Sequence, residues 1–357
     1  MPDAPDILLS ALKRLIERRE TLSRADARLL MDGLLESALS ETRVAALLGA
    51  LAARGETTDE LAGFVQSLRA HAMPIPLEPH ERALLVDTCG TGGDLSGTFN
   101  ISTAAALVAA AAGAWVAKHG NRAVTSACGS ADVLEALGIP VDHTPESAAK
   151  SLRRHRFAFL PAPALQPAMK AVMPIRRALG VRTAFNILGP MSNPAGAPSQ
   201  VMGVYAAHLV PIVAHTLARL QTRHAFVVHG SYSTATGETA GMDELSISGP
   251  TTVAEVKGGN LKFSTLHPEE VGVTAAPIQS LAGGDAQTNA AILRAVFAGE
   301  RGPRRDVVVL NAAAVLVTAN LAQDIPAGMR LAQDTIDSSK VTQLVRSLGA
   351  APDSPSF

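Results

Sequence analysis

The hydrophobic pattern of this chain changes character once, at Met73-Pro-Ile-Pro-Leu-Glu-Pro79, and that change limits the folds open to it. Before it, apolar residues recur only at helical spacing: Leu8, Leu12, Leu15 and Ile16; Leu29, Leu30 and Leu34; Val44, Leu47, Leu48 and Leu51; Leu61, Phe64, Val65 and Leu68. Residues three and four apart share one face of a helix, so these runs predict four short helices. None can bury its stripe alone, and a bundle is the expected solution. Ser23 three residues ahead of Asp26, Ser40 before Glu41, and Thr58-Asp-Glu60 supply the polar starts such helices need. The prolines of 73–79 cannot continue a helix and mark a linker.

Beyond the linker, short apolar strands alternate with helices. Leu84-Leu-Val-Asp87 and Ala114-Trp-Val-Ala117 read as strands, Ile101 to Ala112 and Ala131 to Leu137 as helices, and Val141-Asp-His143 as a strand edge. Thr144-Pro-Glu146 reads as a helix start with proline at the first helical position. Ala225-Phe-Val-Val228 and Asp306-Val-Val-Val-Leu310 read as further buried strands. The alternation predicts an α/β fold with a largely parallel sheet, in which ligands lie beyond the carboxyl ends of the strands. A chain of 357 residues exceeds a comfortable single core. The expected division is a small helical domain over 1–72, joined by helices from about 165–190, and an α/β domain over 80–164 and 191–350.

The first strand runs into Asp87-Thr-Cys-Gly-Thr-Gly-Gly-Asp94, followed by Thr98-Phe-Asn-Ile-Ser-Thr103 and then Lys118-His-Gly-Asn-Arg122. Three glycines within four residues let backbone N–H groups close around an anion, and Asn100, Ser102 and Thr103 add donors at a helix start. With Lys118 and Arg122 as cations, the pattern suits a phosphorylated sugar. Asp243 and Glu244 are adjacent carboxylates fit for Mg²⁺, which prefers oxygen ligands and retains water, and Ser102 can add a hydroxyl. Arg176, Arg177 and Arg182 lie close together, and a guanidinium matches a substrate carboxylate with two parallel hydrogen bonds. Each feature alone has a plainer reading: an ordinary turn, a solvated acidic pair, a charge complement at a helix end. Their joint occurrence on an α/β pattern carries the argument.

Lys+Arg 31 against Asp+Glu 32 gives no global attraction to nucleic acid or to an anionic membrane, so neither is an expected partner. Two cysteines, Cys89 and Cys128, in a chain of this length point to a reducing compartment, and the acidic start lacks a signal-peptide pattern. The expected location is the cytoplasm. The longest apolar stretch, Ala104 to Ala117, is too short to span a bilayer.

Through these motifs, with Gly129-Ser-Ala-Asp132, Arg182-Thr183, Phe185-Asn186, Gly189-Pro190 and Asn193-Pro-Ala195, the chain resembles the anthranilate phosphoribosyltransferase family over nearly its whole length. The resemblance implies a nucleoside phosphorylase/phosphoribosyltransferase-like fold and a homodimer formed through the helical domain. It also implies a reaction of tryptophan biosynthesis, in which the amine of anthranilate displaces pyrophosphate from 5-phosphoribosyl 1-diphosphate (PRPP) with Mg²⁺. Carried over by motif, Gly90, Gly93, Asp94, Thr98, Asn100, Ile101, Ser102, Thr103, Lys118, His119, Gly120, Asn121, Arg122, Ser126 and Ser130 would hold PRPP. Ser102, Asp243 and Glu244 would hold the metal; Gly90, His119, Asn121 and Arg176 would meet anthranilate. No acid or base is assigned, because an aromatic amine arrives unprotonated at neutral pH.

The chain departs from the family pattern at Leu95 for glycine, at Ala127 for a basic residue, at Gln166 for histidine, and in a longer connection over 229–241. Gln166 is expected beside the aromatic channel. The departures keep open a relative with another aromatic acceptor. A non-enzymatic nucleic-acid-binding relative is the weaker alternative, since the donor motifs are intact and the net charge is near zero.

Overall fold

The computed structural model describes residues 7–36, 40–123 and 127–350. Helices α1 (Ile7–Leu12), α2 (Arg24–Glu36), α3 (Glu41–Arg54) and α4 (Thr58–Ala70) pack through Leu8, Leu30, Leu34, Leu47, Leu51, Leu61 and Phe64, all buried. Two members of the expected stripes face outward, Ile16 at 55% exposure and Leu29 at 54%. For Ile16 the cause is local: Lys13–Glu17 forms a π-helical turn, whose wider repeat alters the helical phase. The cap of α4 is Thr57 and not Thr58. Thr57 Oγ1 accepts from Glu60 N at 3.2 Å while Glu60 Oε2 accepts from Thr57 N at 2.8 Å, a reciprocal capping box. Ser23 accepts from Asp26 N at 3.2 Å as its spacing predicts, whereas Ser40 makes no side-chain cap bond.

Residues 73–78 cross to the second unit without regular structure and end in α5 (Pro79–Arg82). The crossing is pinned where Met73 N donates to the Leu165 carbonyl at 2.8 Å.

An eight-stranded sheet follows: β1 (Leu85–Gly90), β2 (Trp115–Gly120), β3 (Phe157–Pro161), β4 (Ser199–Gly203), β5 (His224–Ser233), β6 (Thr239–Met242), β7 (Thr251–Lys257) and β8 (Asn260–Leu266). The order is β3-β2-β1-β4-β5-β7-β8, with β6 also paired to β5. From β3 to β5 every pairing is parallel; β6, β7 and β8 add an antiparallel end. The chain winds outward from β1 to β3, then restarts on the other side of β1 with β4. The strand order therefore reverses between β1 and β4, which is where an open α/β sheet leaves a crevice at its carboxyl edge.

Helix α6 (Ile101–Ala111) packs against β1 and against α14 (Pro303–Thr318) in the larger core. The segment expected as a strand at Asp306–Leu310 is the first part of α14. A short apolar run has no period of its own, and a helix buried almost all round looks the same in sequence as a buried strand. Pro303 at the start and Asp306 in the first turn are the helical signs. Val141-Asp-His143 is likewise not a strand. Val141 is buried, but Pro140 cannot donate to a ladder, and Thr144 accepts from Ser147 N at 3.2 Å to start α8 (Pro145–His155).

The return segment carries α9 (Ala162–Leu165), α10 (Met173–Leu179) and α11 (Phe185–Met191). Val172, Ile175, Phe185 and Leu188 share one core with the N-terminal helices, with α12 (Leu209–Arg219), and with Val227 and Val256 of the sheet. Among the described residues no helix is long and apolar enough to cross a membrane.

Thr57→Ala should lower the unfolding free energy by about 1 kcal/mol, the usual worth of such a cap. The measurement is a urea titration: the midpoint should fall with an unchanged slope. Coincident midpoints would mean that the box does not hold α4.

Candidate active site

Gly90 ends β1, Gly203 ends β4, and the two are register partners. A Cβ on Gly90 would stand 2.1 Å from Asp243 Oδ2, and one on Gly203 1.5 Å from the Asp243 carbonyl oxygen. No side chain fits at either position. Asp243 thus lies across the bare ends of the two central strands, delivered there by β6, whose pairing with β5 ends at Met242. The chain just beyond it is held from below. Asn311, in the otherwise apolar middle of α14, accepts from Leu245 N at 3.0 Å and donates to the Leu245 carbonyl at 2.9 Å.

The acidic pair occupies donors of the kind that hold phosphate. Gly92 N donates to Asp243 Oδ2 at 2.7 Å, and Ser102 N, in the first turn of α6, donates to Glu244 Oε1 at 3.0 Å. Burial, reinforced by the nearby charge of Asp94, pushes Asp243 up to about 7. Burial and then Asp243 push Glu244 up to about 8. Facing them is Lys118, only 1% exposed, whose Nζ donates to the Thr88 carbonyl at 2.7 Å and to Ser102 Oγ at 3.3 Å. Desolvation lowers its pKa while the surrounding acids oppose the shift. Two desolvated, mutually repelling carboxylates beside a hydroxyl form an oxygen donor set suited to a hard cation.

Asp87 organises the layer behind. Its oxygens accept from Asn193 Nδ2 at 2.7 Å and from His119 N at 3.1 Å, and Asn193 also donates to the Ala117 carbonyl at 2.8 Å. One buried carboxylate so joins β1, the end of β2 and the 193 turn; desolvation raises its pKa. Cys89 Sγ lies 3.7 Å from Asp87 Oδ2, and burial together with that charge raises the thiol well above its ordinary value. Burial brings His119 down to about 4, and its Nε2 has no partner among the described residues.

The sequence candidates fall into several groups. Gly90, Gly93, Asp94, Ser102, Lys118, His119, Asp243 and Glu244 gather at the carboxyl edge of the sheet, while Thr103 Oγ1 is buried without a partner. Asn100 is already engaged, donating to the Cys128 carbonyl at 3.2 Å and accepting from Asn289 at 2.9 Å. Thr98 Oγ1 meets Ser96 Oγ at 3.2 Å, and the Ile101 side chain belongs to the core. Gly120 ends β2 against Phe159, Ser130 begins α7 (Ser130–Ala136), and Asn121 Oδ1 accepts from Arg122 N at 2.8 Å. The Arg122 guanidinium lies on Glu135 at 2.5 and 2.6 Å, so its charge is compensated on α7. Ser126 lies outside the described residues.

Arg176 on α10 stands over the Phe185 ring at 5.3 Å. Of the departures, Leu95 adopts a left-handed backbone (φ 61) with its side chain 84% exposed, a conformation glycine takes more cheaply. Gln166 is buried, and its amide donates to the Ser192 carbonyl and to Ser192 Oγ at 3.1 Å. Residues 229–241 lie in the β5–β6 hairpin.

Sequence reasoning overlooked Gly203 and Asn311 and gave Asp87 no role. A glycine ending a strand and a lone amide inside an apolar run were the available signals.

Residues 9–72 match the helical bundle domain of a glycosyl transferase family, and residues 82–342 match that family's a/b domain. The anthranilate phosphoribosyltransferase of Solibacter usitatus is 47% identical over 342 residues, 96% of this chain and 97% of that protein. The one from Geobacter sp. (strain M21) is 43% identical, covering 96% and 98%. The chain belongs to the anthranilate phosphoribosyltransferase family. Among solved anthranilate phosphoribosyltransferases, the crystal structure from Thermus thermophilus is similar with a TM-score of 0.85 at 40% identity, over 96% of this chain and 98% of that one. The Saccharomyces cerevisiae anthranilate phosphoribosyltransferase in complex with PRPP and Mg gives 0.82 at 27% identity, over 97% of each.

His119 makes the stability of this anthranilate phosphoribosyltransferase family member depend on acid. Unfolded, its imidazole titrates near 6.5; folded, near 4. Within that window only the unfolded chain takes the proton, so the contribution is complete above about 6.5 and is lost as pH falls toward 4. His119→Gln should flatten part of the decline in Tm across this range. An unaltered pH profile would show that His119 is not held neutral by burial.

Proposed function

We propose that this chain transfers the 5-phosphoribosyl group of PRPP to the amine of anthranilate, with release of pyrophosphate, in tryptophan biosynthesis. The observation that carries the reading is the acidic pair lying on the glycine ends of β1 and β4, opposite Lys118 and the start of α6. The glycine loop, Thr98, Asn100, Ser102, Thr103 and Lys118 would bind PRPP. Mg²⁺ would be held by Asp243, Glu244 and Ser102, and when bound it supplies positive charge next to the departing pyrophosphate. Among the described residues no three His, Cys, Asp or Glu side chains form a ready metal cage. The set therefore suits an ion that shares its shell with water and ligand oxygens.

The remaining work falls to placement and charge. Lys118 is desolvated and anchored by a backbone carbonyl, so its ammonium needs no reorganisation to face developing negative charge. Bond breaking at the anomeric carbon leaves positive charge on the ribose, and the amine needs only to be held in line behind it. His119 is neutral in the working range and presents a polar ring edge without adding charge. Arg176, carried over Phe185, would pair with the anthranilate carboxylate.

A homodimer through the helical part fits the exposed Ile16 and Leu29, and cytoplasmic residence fits two cysteines that are not joined in a disulfide.

Loss of anthranilate fluorescence, followed with PRPP and Mg²⁺, tests the reaction. Turnover should require all three and stop on chelation; anthranilate that persists while PRPP binds would move the acceptor elsewhere. Arg176→Ala should raise the KM for anthranilate by about tenfold or more and leave that for PRPP within about threefold. Equal effects on both would remove Arg176 from the acceptor site. Asp243→Asn and Glu244→Gln should each raise the Mg²⁺ concentration needed for half-maximal rate.

A further inference from the structure

Three consecutive residues of the glycine loop are each gripped by a different element. Thr91 N donates to the Gly203 carbonyl at 3.0 Å, and Thr91 Oγ1 accepts from Tyr205 N at 3.0 Å. Gly92 N is held by Asp243. The Gly93 carbonyl accepts from Arg182 Nη2 at 2.6 Å. Arg182 belongs to the turn between α10 and α11, six residues after Arg176, and its guanidinium stands over the Tyr205 ring with Cζ 3.9 Å from the centroid. A long, exposed side chain surrenders much rotamer freedom to hold such a pose, and the stack on Tyr205 compensates for it.

The consequence follows from the planarity of the trans peptide. In the Gly93–Asp94 unit the C=O and N–H point in opposite directions, so fixing the carbonyl on Arg182 turns the Asp94 N–H the other way. That N–H has no protein acceptor among the described residues. Gly92 and Gly93 both have positive φ (67° and 73°), and glycine can leave that region freely unless something outside the loop restrains it.

We propose that Arg182, locked by Tyr205, is a positioning residue that sets the Gly93–Asp94 peptide and thereby presents the Asp94 N–H to the diphosphate of the donor. It also ties the phosphate loop to the segment that carries Arg176. The inference rests on the reading of the loop as the PRPP site and adds a residue to which the motif comparison gave no individual role.

The test is calorimetric titration with PRPP and Mg²⁺ in the absence of acceptor, followed by steady-state kinetics, on the wild type, Arg182→Ala, Arg182→Lys, Tyr205→Phe, Tyr205→Ala and the double variant Arg182→Ala/Tyr205→Ala. Arg182→Ala should weaken PRPP binding about tenfold, the scale of a charged hydrogen bond, raise its KM in parallel, and leave the anthranilate KM within about twofold and Tm unchanged. Lysine can reach the carbonyl but cannot stack, so Arg182→Lys should recover only part of the loss. Tyr205→Phe should behave as wild type. Tyr205→Ala should lose affinity, and the double variant should bind no worse than Arg182→Ala alone, because the two side chains act as one device. Unchanged PRPP affinity in Arg182→Ala, or fully additive losses in the double variant, would overturn the inference while the loop assignment stands. A wild type that binds no PRPP would overturn both.

Discussion

Two missing side chains govern this structure. Gly90 and Gly203 close neighbouring parallel strands at the place where the strand order reverses, and only their bare backbones let Asp243 lie on the sheet's edge. A methyl group at Gly203 would fall inside the van der Waals surface of a backbone oxygen, which has nowhere to retreat because Asn311 clamps Leu245 from the buried α14. The apolar core, the polar amide within it and the acidic pair above it are therefore one mechanical unit. Desolvation and mutual repulsion at Asp243 and Glu244 are the electrostatic strain that this unit sustains, and opposite charge is what relieves it.

The sheet divides the work by strand direction. Its parallel half ends in the glycine loop and in Lys118 and His119; its antiparallel half supplies the hairpin that carries the acids across. The return segment links the two units of the chain. It shares a core with the N-terminal helices, yet Asn193 fastens its end to Asp87 and Arg182 fastens its middle to Gly93. The return segment and the glycine loop are thus in hydrogen-bond contact.

Much of this is legible in the sequence. Periodicity placed the N-terminal helices, and the glycine loop falls, as its composition suggests, between a strand and a helix start. The failures have physical causes. Asp306–Leu310 is uniformly apolar after its first residue, and a helix enclosed on all sides carries no period to separate it from a strand. Val141 is buried without any ladder, because burial and strand pairing are separate conditions. Thr57, one place earlier than expected, shows that a cap is fixed by which hydroxyl can reach the third helical N–H. Arg122 looked like a free cation, but thirteen residues on Glu135 completes its pairing, and only the turn of α7 brings the two together. Gly203 and Asn311 leave only a faint local trace, a strand-ending glycine and a lone amide in an apolar run, because each acts on chain that is distant in sequence, Asp243 and Leu245.

One consequence concerns redox chemistry. Cys89 sits near the end of β1, just ahead of the glycine loop, where a reactive thiol would expose the site to every electrophile and oxidant that entered it. The nucleophilic form of cysteine is the thiolate, and here both burial and the charge of Asp87 suppress it. The carboxylate that aligns the strands also keeps this sulfur inert, as a small space-filling group.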